Sequence, residues 1–326
     1  MRGTPEESKV ELFRDAKIDW LGRKWYFLSF SLIFSVAGVL SMLFWHGIPR
    51  GVDFKGGTEI QVQFASTPNE NHIRQALSNA GVKDSIVYPI SDARGQSVNM
   101  EVISLPESSD SSHDTGNTQL QAALNCGQPG SDCTIQKVDI VGPTAGTQLQ
   151  HQAELATIYS LIGMLVYLWF RFELIYGIAA VVAVFHDTLI TVGAFSLTNQ
   201  EITLTVIAAI LTLIGYSMND TIVVFDRIRE NLALSRRESL PDVVNRSINQ
   251  TLTRTVISSG LTFLTVMSLF LFGGPVLRGF SFALVVGIVI GTYSSIAVAA
   301  PMLVAYQDWR KSRGKVASLP AKRARA

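Results

Sequence analysis

Charge is scarce in this chain. Only 16% of its 326 residues are charged, the formal net charge is +1, and 48% of the residues are hydrophobic. A soluble domain keeps more charge on its surface, so the composition favours an integral membrane protein. The near-zero net charge argues against nucleic acid as the main partner.

Residues that hold metals, phosphates or cofactors are also few. The two cysteines, Cys126 and Cys133, lie in the one long polar region, where a disulfide would suit an oxidising compartment and two free thiols fit the sequence equally well. His72 and His113 have no third ligand at metal-binding spacing. The glycine-rich segment 51–57 lacks the Gly-Lys-Ser/Thr core of a phosphate loop. We therefore predict no metal and no cofactor.

Long uncharged runs predict six transmembrane helices. The first has tryptophan at both ends, Trp25 and Trp45, and lacks a small-residue cleavage site, so we expect it to be retained. Between the fourth and fifth spans, apolar residues at helical spacing from Leu240 to Ile248 predict an amphipathic helix at the membrane surface. The predicted spans are residues 25–45, 151–170, 174–197, 202–225, 255–271 and 279–306, with a segment 1–24, a loop 226–254 and a basic tail 307–326 outside them.

Residues 46–150 contain no spanning segment and predict an α+β domain. Alternating strands and short helices follow the order β-α-β-β-α-β, which is the ferredoxin-like arrangement. A Ser/Asp-rich loop at 106–117 interrupts it. The predicted elements are strands 58–64, 83–90, 96–104 and 134–141 and helices 71–77 and 119–124.

The lysines and arginines predict the orientation. Segment 1–24 has six, the turn at Arg171 one, the loop 226–254 six and the tail seven, whereas the short loops opposite have only Arg278. Because positive residues stay inside, both termini should be cytoplasmic and the 46–150 domain outside.

Asp220 lies within an apolar run that continues to Phe225. A carboxylate in hydrocarbon costs roughly 2.5 to 3.5 kcal/mol on insertion scales, so it usually has a partner or a function. The alternative is a helix that ends at Asn219 and leaves Asp220 among the headgroups. If spans four and five are antiparallel, Arg254 at the inner start of span five could pair with Asp220, leaving a carboxyl that protons can contest.

Asp187 follows His186 near the middle of span three. A structural His186–Asp187 contact and a proton relay remain equally open. Hydroxyl stripes on spans four and five fit ordinary helix packing better than a water path. Span six has a small-residue face for close helix packing, formed by Ala283, Gly287, Gly291 and Ser295.

Several motifs resemble those of the SecD/SecF family of bacterial protein-export subunits, within the resistance-nodulation-division (RND) superfamily. The resemblance covers about Ile18 to Tyr306. The motifs are Gly51-Val52-Asp53-Phe54-Lys55-Gly56-Gly57, Val141-Gly142-Pro143-Thr144-Ala145-Gly146, His186-Asp187, the run from Asn219 to Asn231, and Phe272-Gly273-Gly274-Pro275.

The resemblance implies a multi-pass subunit of the bacterial inner membrane, paired with SecD near the SecYEG channel. Such a subunit would use protons to draw unfolded secretory polypeptides outward, without being an enzyme. Asp220 and Arg254 would carry the proton step, with Asp187 alongside and with Asn219, Thr221 and His186 in support. We also expect the outer domain to move on glycine hinges, which are Gly51, Gly56, Gly57, Gly142 and Gly146.

Two other functions remain open from the residues alone. A small-molecule exporter of the RND type would share the proton chemistry, but one small domain and six spans offer no obvious drug cavity. An intramembrane aspartyl protease needs two facing aspartates, and Asp187 with Asp220 superficially qualifies. The glycine-rich motif of such proteases is absent, and the sequence places the two aspartates at depths that differ by about half the hydrocarbon core.

Overall fold

The structure is a computed structural model. It describes residues 17–80, 85–91, 97–105, 120–121, 123–126, 132–172, 174–235 and 238–313. Segment 1–16, the Ser/Asp-rich loop 106–117 and residues 314–326 of the tail lie outside the described residues.

Six helices in the described part of the chain are long and apolar enough to cross a membrane. The first, α1, continues into a short π-helical segment. The last consists of α8, a second π-helical segment and α9 without a break. The bounds are α1 Lys24–Leu40, α4 Pro143–Arg171, α5 Leu174–Thr198, α6 Leu204–Leu234, α7 Leu240–Phe272, α8 Gly274–Ser294 and α9 Ala300–Ser312, with π-helical segments Ser41–Trp45 and Ser295–Ala299.

Two helices are longer than the predicted spans that they contain. The fourth span was predicted as residues 202–225, and the helix α6 continues to Leu234. Residues 226–234 continue the helix because this stretch packs on its neighbours: Ile228 is fully buried, and Asn231 donates to Ser247 of α7 at 2.8 Å. The exposed pair of Arg227 with Glu230, at 2.6 Å, adds a small contribution. The predicted surface helix is not separate, since it forms the first part of α7, which runs unbroken from Ser239 as its N-cap.

The α+β domain has the predicted ferredoxin-like fold. Its sheet has the strand order β2-β3-β1-β4, with every neighbouring pair antiparallel. Residues 120–121 and 123–124 are helical at the position predicted for the second helix. The other elements are α2 Val52–Lys55, β1 Gly57–Phe64, α3 Glu70–Asn79, β2 Ile86–Ser91, β3 Ser97–Leu105 and β4 Cys133–Val141.

One face of this sheet buries a separate apolar core. Ile60, Val62 and Ile103 are buried on the strands, and Ile73 and Leu77 of α3 pack onto them. Alternation along the strands and a helical spacing of four in α3 put these side chains on one face each. Cys126 and Cys133 form a disulfide at the margin of this core, which settles the alternative that the sequence left open.

Small residues let α8 lie against α6. A Cβ atom at Gly287 would come within 2.4 Å of the Leu213 side chain, and one at Gly291 would be 3.0 Å from Ser217. Ala283, one turn before Gly287 in the same row, is fully buried. The predicted small-residue face of the last span is therefore the surface that packs on α6.

A second close crossing joins α1 to α5. A Cβ atom at Gly193 would lie 2.7 Å from the Cα of Gly38, and one at Gly38 would lie 2.9 Å from the Cα of Gly193. The two backbones are in contact here, so no side-chain rotamer could make room for a larger residue at either position. This contact fixes α1 beside the helix that carries Asp187.

Glu101 is a buried carboxyl in the α+β domain. It lies on β3 between Val62 and Pro89 and is 2% exposed, and its Oε2 has no hydrogen-bond partner among the described residues. Burial raises its pKa from 4.5 to about 7; the Glu70 carboxylate adds to this, and the Arg74 guanidinium opposes it.

This pKa predicts that the domain is more stable in acid. In the unfolded chain Glu101 ionises near 4.5, whereas in the folded domain it keeps its proton up to about pH 7. Unfolding free energy should therefore be greatest below about pH 4.5 and fall by up to about 3 kcal/mol as the pH rises to about 7. Urea unfolding of the full chain, followed by a fluorophore on Ser66→Cys, measures this dependence.

The matched variants are Glu101→Gln and Asp132→Asn. Glu101→Gln should remove most of the pH dependence between about 4.5 and 7, because an amide does not titrate. Asp132→Asn changes an exposed carboxyl of the same domain and should leave the slope in place. An unchanged slope in Glu101→Gln would refute the assignment to Glu101.

Candidate functional site

Asp220 lies inside the helix bundle. It is 3% exposed, and it stands near the middle of α6 rather than at a helix end, so the alternative in which the helix ends at Asn219 is wrong. Its Oδ2 accepts a hydrogen bond of 2.8 Å from the Ser259 hydroxyl of α7. The carboxyl of Asp220 therefore joins α6 to α7 inside the bundle, in addition to the bonds that Asn231 and Arg227 make to α7 further along α6.

Asp187 is the second buried carboxyl. It is 1% exposed on α5, and its Oδ2 accepts hydrogen bonds from Ser217 of α6 at 2.6 Å and from Ser294 of α8 at 2.7 Å. Its Oδ1 lies 3.0 Å from Nδ1 of His186. Three helices thus meet at this one carboxylate.

Ser217 links the two carboxyl groups. It donates to Asp187 and precedes Asp220 by three residues on α6, a separation of about 4.5 Å along a helix axis. The two aspartates are therefore about one helical turn apart in depth, not half the hydrocarbon core as the sequence suggested. That estimate failed because it took Asp220 to lie close to the end of its helix.

We call Asp187, Ser217, Asp220, Ser259 and Ser294 the carboxyl layer. All five are at least 95% buried. The three serines are the functional residues that the sequence did not identify. Serine is too common in packed membrane helices to be recognised alone, and which serine faces a carboxylate depends on the register between helices.

Three polar atoms beside the layer have no hydrogen-bond partner in the described part of the chain. They are Nε2 of His186, Oγ1 of Thr255 and Oγ1 of Thr292. When Asp187 is ionised, its Oδ1 accepts from the Nδ1–H of His186, and the neutral imidazole then has Nε2 as an acceptor.

Arg254 does not pair directly with Asp220 as predicted. Its side chain is exposed, and no ion pair within 4.0 Å joins it to a described carboxylate, although its charge still acts on Asp220. The reason is the helical phase of α7. Thr255 and Ser259, four residues apart, take the buried face, and Arg254 lies about 140° around the helix from Ser259.

The predicted supporting residues separate. Thr221 is fully buried and donates to the Ser217 carbonyl at 3.2 Å, so it serves its own helix. Asn219 is exposed and faces away from the carboxyl layer. The hydroxyl stripe after Arg254 also bonds its own helix: Ser258 and Thr262 each donate to the carbonyl four residues earlier.

The predicted hinge glycines meet at the other end of α6. Gly51 donates to the Ile202 carbonyl at 2.9 Å, and a Cβ atom at Gly146 would lie 3.1 Å from the Gly56 nitrogen. Gly56 and Gly57 have φ values of 75° and 125°, which favour glycine. Gly142 has open space around it.

Comparison with known proteins decides the family. A model described as protein export membrane protein SecD/SecF, C-terminal, matches residues 122–309, and the SecD/SecF GG motif matches residues 44–68. The protein translocase subunit SecF of Koribacter versatilis is 51% identical, over 95% of this chain and 96% of the relative. This chain belongs to the SecD/SecF family.

Longer family members contain a region similar to this chain as one part of their length. The crystal structure of SecDF from Thermus thermophilus, a translocon-associated membrane protein, matches with a TM-score of 0.79 and 34% identity, over 90% of this chain and 39% of that one. The translocase subunit SecDF of Brucella abortus is 40% identical over 80% of this chain and 33% of its own length. The resemblance found in the sequence motifs is confirmed.

The carboxyl layer does not have the arrangement of an aspartyl protease. In such enzymes two carboxyls face each other and share a proton. Within the described residues, Asp187 and Asp220 instead accept from serines, and no hydrogen bond joins the two carboxyls. With the SecD/SecF assignment, neither the protease nor the small-molecule exporter has an observation in its favour.

Proposed function

We propose that the chain is a SecF-type subunit of the bacterial Sec protein translocase. It would work with SecD beside the SecYEG channel and use the inward movement of protons to promote export of unfolded secretory polypeptides. The observation that carries the proposal is the carboxyl layer, in which two buried aspartates connect four helices of a chain related to translocase subunits. The SecDF relatives, with both parts in one protein, support SecD as the partner.

Asp220 is the group that would change its protonation state. Ionised, it accepts a charge-assisted hydrogen bond from Ser259; protonated, it becomes a neutral donor. Bonds to a charged group contribute about 1.5–3 kcal/mol and neutral ones about 0.5–1.5, so protonation weakens the tie between α6 and α7. Arg254 stays protonated and would act on Asp220 through its charge, while Asp187 and His186 would pass or hold the proton.

The energy available suits small repeated movements. One charge that crosses the membrane gains about 2.3 kcal/mol per 100 mV. This can shift an equilibrium between two helix packings that differ by a few kcal/mol, but it cannot unfold a substrate in one step. The α+β domain would move as a body on the hinges that include Gly142, and many cycles would move one polypeptide.

We place the chain in the inner membrane, with the α+β domain outside and both termini in the cytoplasm. Lysine and arginine excess on the loops at one side supports this orientation, and the Cys126–Cys133 disulfide fits an oxidising exterior.

Cysteine labelling tests the orientation. Ser66 lies on the surface of the α+β domain and Ser312 at the end of α9, and both are exposed. In intact cells, a membrane-impermeant maleimide should label Ser66→Cys, while Ser312→Cys should react only after the membrane is opened. The native cysteines are bound to each other and should not react. The reverse pattern would rule the orientation out.

Reconstitution tests the function. Proteoliposomes that contain SecYEG, the ATPase motor and SecD should export a secretory precursor faster under a proton gradient when this chain is added, and an ionophore should remove the gain. A chain that co-purifies with SecD and gives no gain under the gradient would contradict the proposal.

A further inference from the structure

The aspartate of the glycine motif has a contact that none of the roles above uses. Oδ2 of Asp53 accepts a hydrogen bond of 2.8 Å from the backbone nitrogen of Leu204. Leu204 is the first residue of α6, the helix that carries Asp220. The two residues are 151 positions apart in sequence, so this is a contact between segments and not a local turn.

The contact lies where a helix has unsatisfied donors. The first four N–H groups of an α-helix have no partner within the helix, and the partial positive charge there favours an anion. Thr203, the N-cap of α6, accepts from Val206 at 3.4 Å. Asp53 therefore supplies a second cap from another part of the chain, and it is the one that carries charge.

The backbone beside Asp53 is built to fit the start of α6. Ile202 donates to the Pro49 carbonyl at 2.7 Å, Gly51 donates to the Ile202 carbonyl at 2.9 Å, and Arg50 pairs with Ile202 as a parallel bridge. A Cβ atom at Gly51 would lie 3.0 Å from the Thr203 side chain. The glycine is thus needed for close approach, and the approach brings Asp53 to the helix end.

The same segment joins the α+β domain. After α2, which contains Asp53, the chain turns at Gly56 and enters β1, the central strand paired with both β3 and β4. Phe54 is buried in the core of the membrane helices. A movement of the sheet therefore reaches α2 first. The segment that contains α2 is joined to the start of α6 by the backbone bonds of Pro49 and Gly51 and by the charged hydrogen bond of Asp53.

We propose that Asp53 is the positioning residue that docks the α+β domain on the N-terminus of α6 and so connects the domain with the helix of Asp220. The inference rests on the proposed function only where it couples the domain to the proton step at Asp220. The docking contact itself does not require a proton gradient. A helix end offers a bond that can break and reform, because water can satisfy the freed N–H at little cost.

The test measures docking in the absence of any gradient. Spin labels are placed on Ser66→Cys in the α+β domain and Thr198→Cys near the end of α5, in the full chain with its SecD partner in vesicles. Both sites are exposed, and the native cysteines are in the disulfide. Double electron–electron resonance then gives the distance distribution between the labels.

Asp53→Ala should lower the ratio of docked to undocked domain roughly tenfold, which is the expected effect of losing a cap together with a charge at a helix N-terminus. It should appear as a second, broader distance population. Asp53→Asn keeps an acceptor and should lie between the wild type and Asp53→Ala. Thr203→Ala removes the helix's own cap but leaves the Asp53 hydrogen bond in place, and it should keep the wild-type distribution.

Two results would overturn the proposal: a wild-type distribution in Asp53→Ala, or an equal second population in Thr203→Ala. Export under a gradient is measured separately on the same vesicles. If the wild-type chain gave the docked distance distribution but no export under the gradient, the proposed function alone would be contradicted, because the docking would still be present.

Discussion

Asp220→Asn is expected to abolish the part of export that depends on the proton gradient. Asparagine fills the same volume and can still bond Ser259, so the bundle should assemble, but it cannot take up and release a proton. The chain should therefore insert, reach normal levels and bind SecD. In reconstituted vesicles the stimulation of export by the gradient should disappear, leaving the rate seen without a gradient.

The matched control for this variant is Asp226→Asn. Asp226 lies six residues further along α6, where it pairs with Arg171 at 3.2 Å and Arg229 at 2.8 Å and is about half exposed. Exposed pairs contribute about 0–1 kcal/mol, so its loss should leave the response to the gradient nearly intact. Normal proton-driven export by Asp220→Asn would return Asp220 to a purely structural role.

Gly193→Leu is expected to have the largest effect on assembly. The new Cβ would lie 2.7 Å from the Cα of Gly38, and a backbone atom cannot turn aside as a side chain can. Helix α1 must move away from α5, which also disturbs the hydrogen bond of 2.8 Å between Ser41 and Ser196. Overpacking typically costs about 1–3 kcal/mol, and this contact should reach the upper end.

Gly163→Leu provides the comparison. Gly163 lies on α4 with no atom within 4 Å of its added Cβ, so the same substitution meets open space. Thermal unfolding of the purified chains in detergent should show a large fall in midpoint for Gly193→Leu and little change for Gly163→Leu. Equal midpoints for the two variants would show that the glycine crossing contributes nothing to stability.

The fold prediction depended on patterns among neighbouring residues. Strand alternation and short helical repeats are properties of consecutive residues, so the order of elements in the α+β domain could be obtained from the sequence, and with it the sheet. The length of α6 could not, because the charged run after Phe225 also fits a helix that leaves the membrane. Beyond that point its contacts with α7, such as those of Asn231, depend on the tertiary structure.

The candidate site was predictable only in part. Asp187 and Asp220 could be identified because a carboxyl is conspicuous in an apolar run. Their serine partners depend on how the helices are rotated and shifted against each other, which no single segment encodes. The predicted Asp220–Arg254 contact failed for the same reason, since the antiparallel arrangement of α6 and α7 was considered without the rotation that buries Ser259.

The most direct test of the central claim is to observe the proton on Asp220. Infrared difference spectra of the complex with SecD, recorded in vesicles as the pH is changed, report the carbonyl band of a protonated carboxyl group. We expect a pH-dependent band that is lost in Asp220→Asn and kept in Asp226→Asn. A wild type with no such band, or an Asp220→Asn variant that retains it unchanged, would contradict the assignment of the proton step to Asp220.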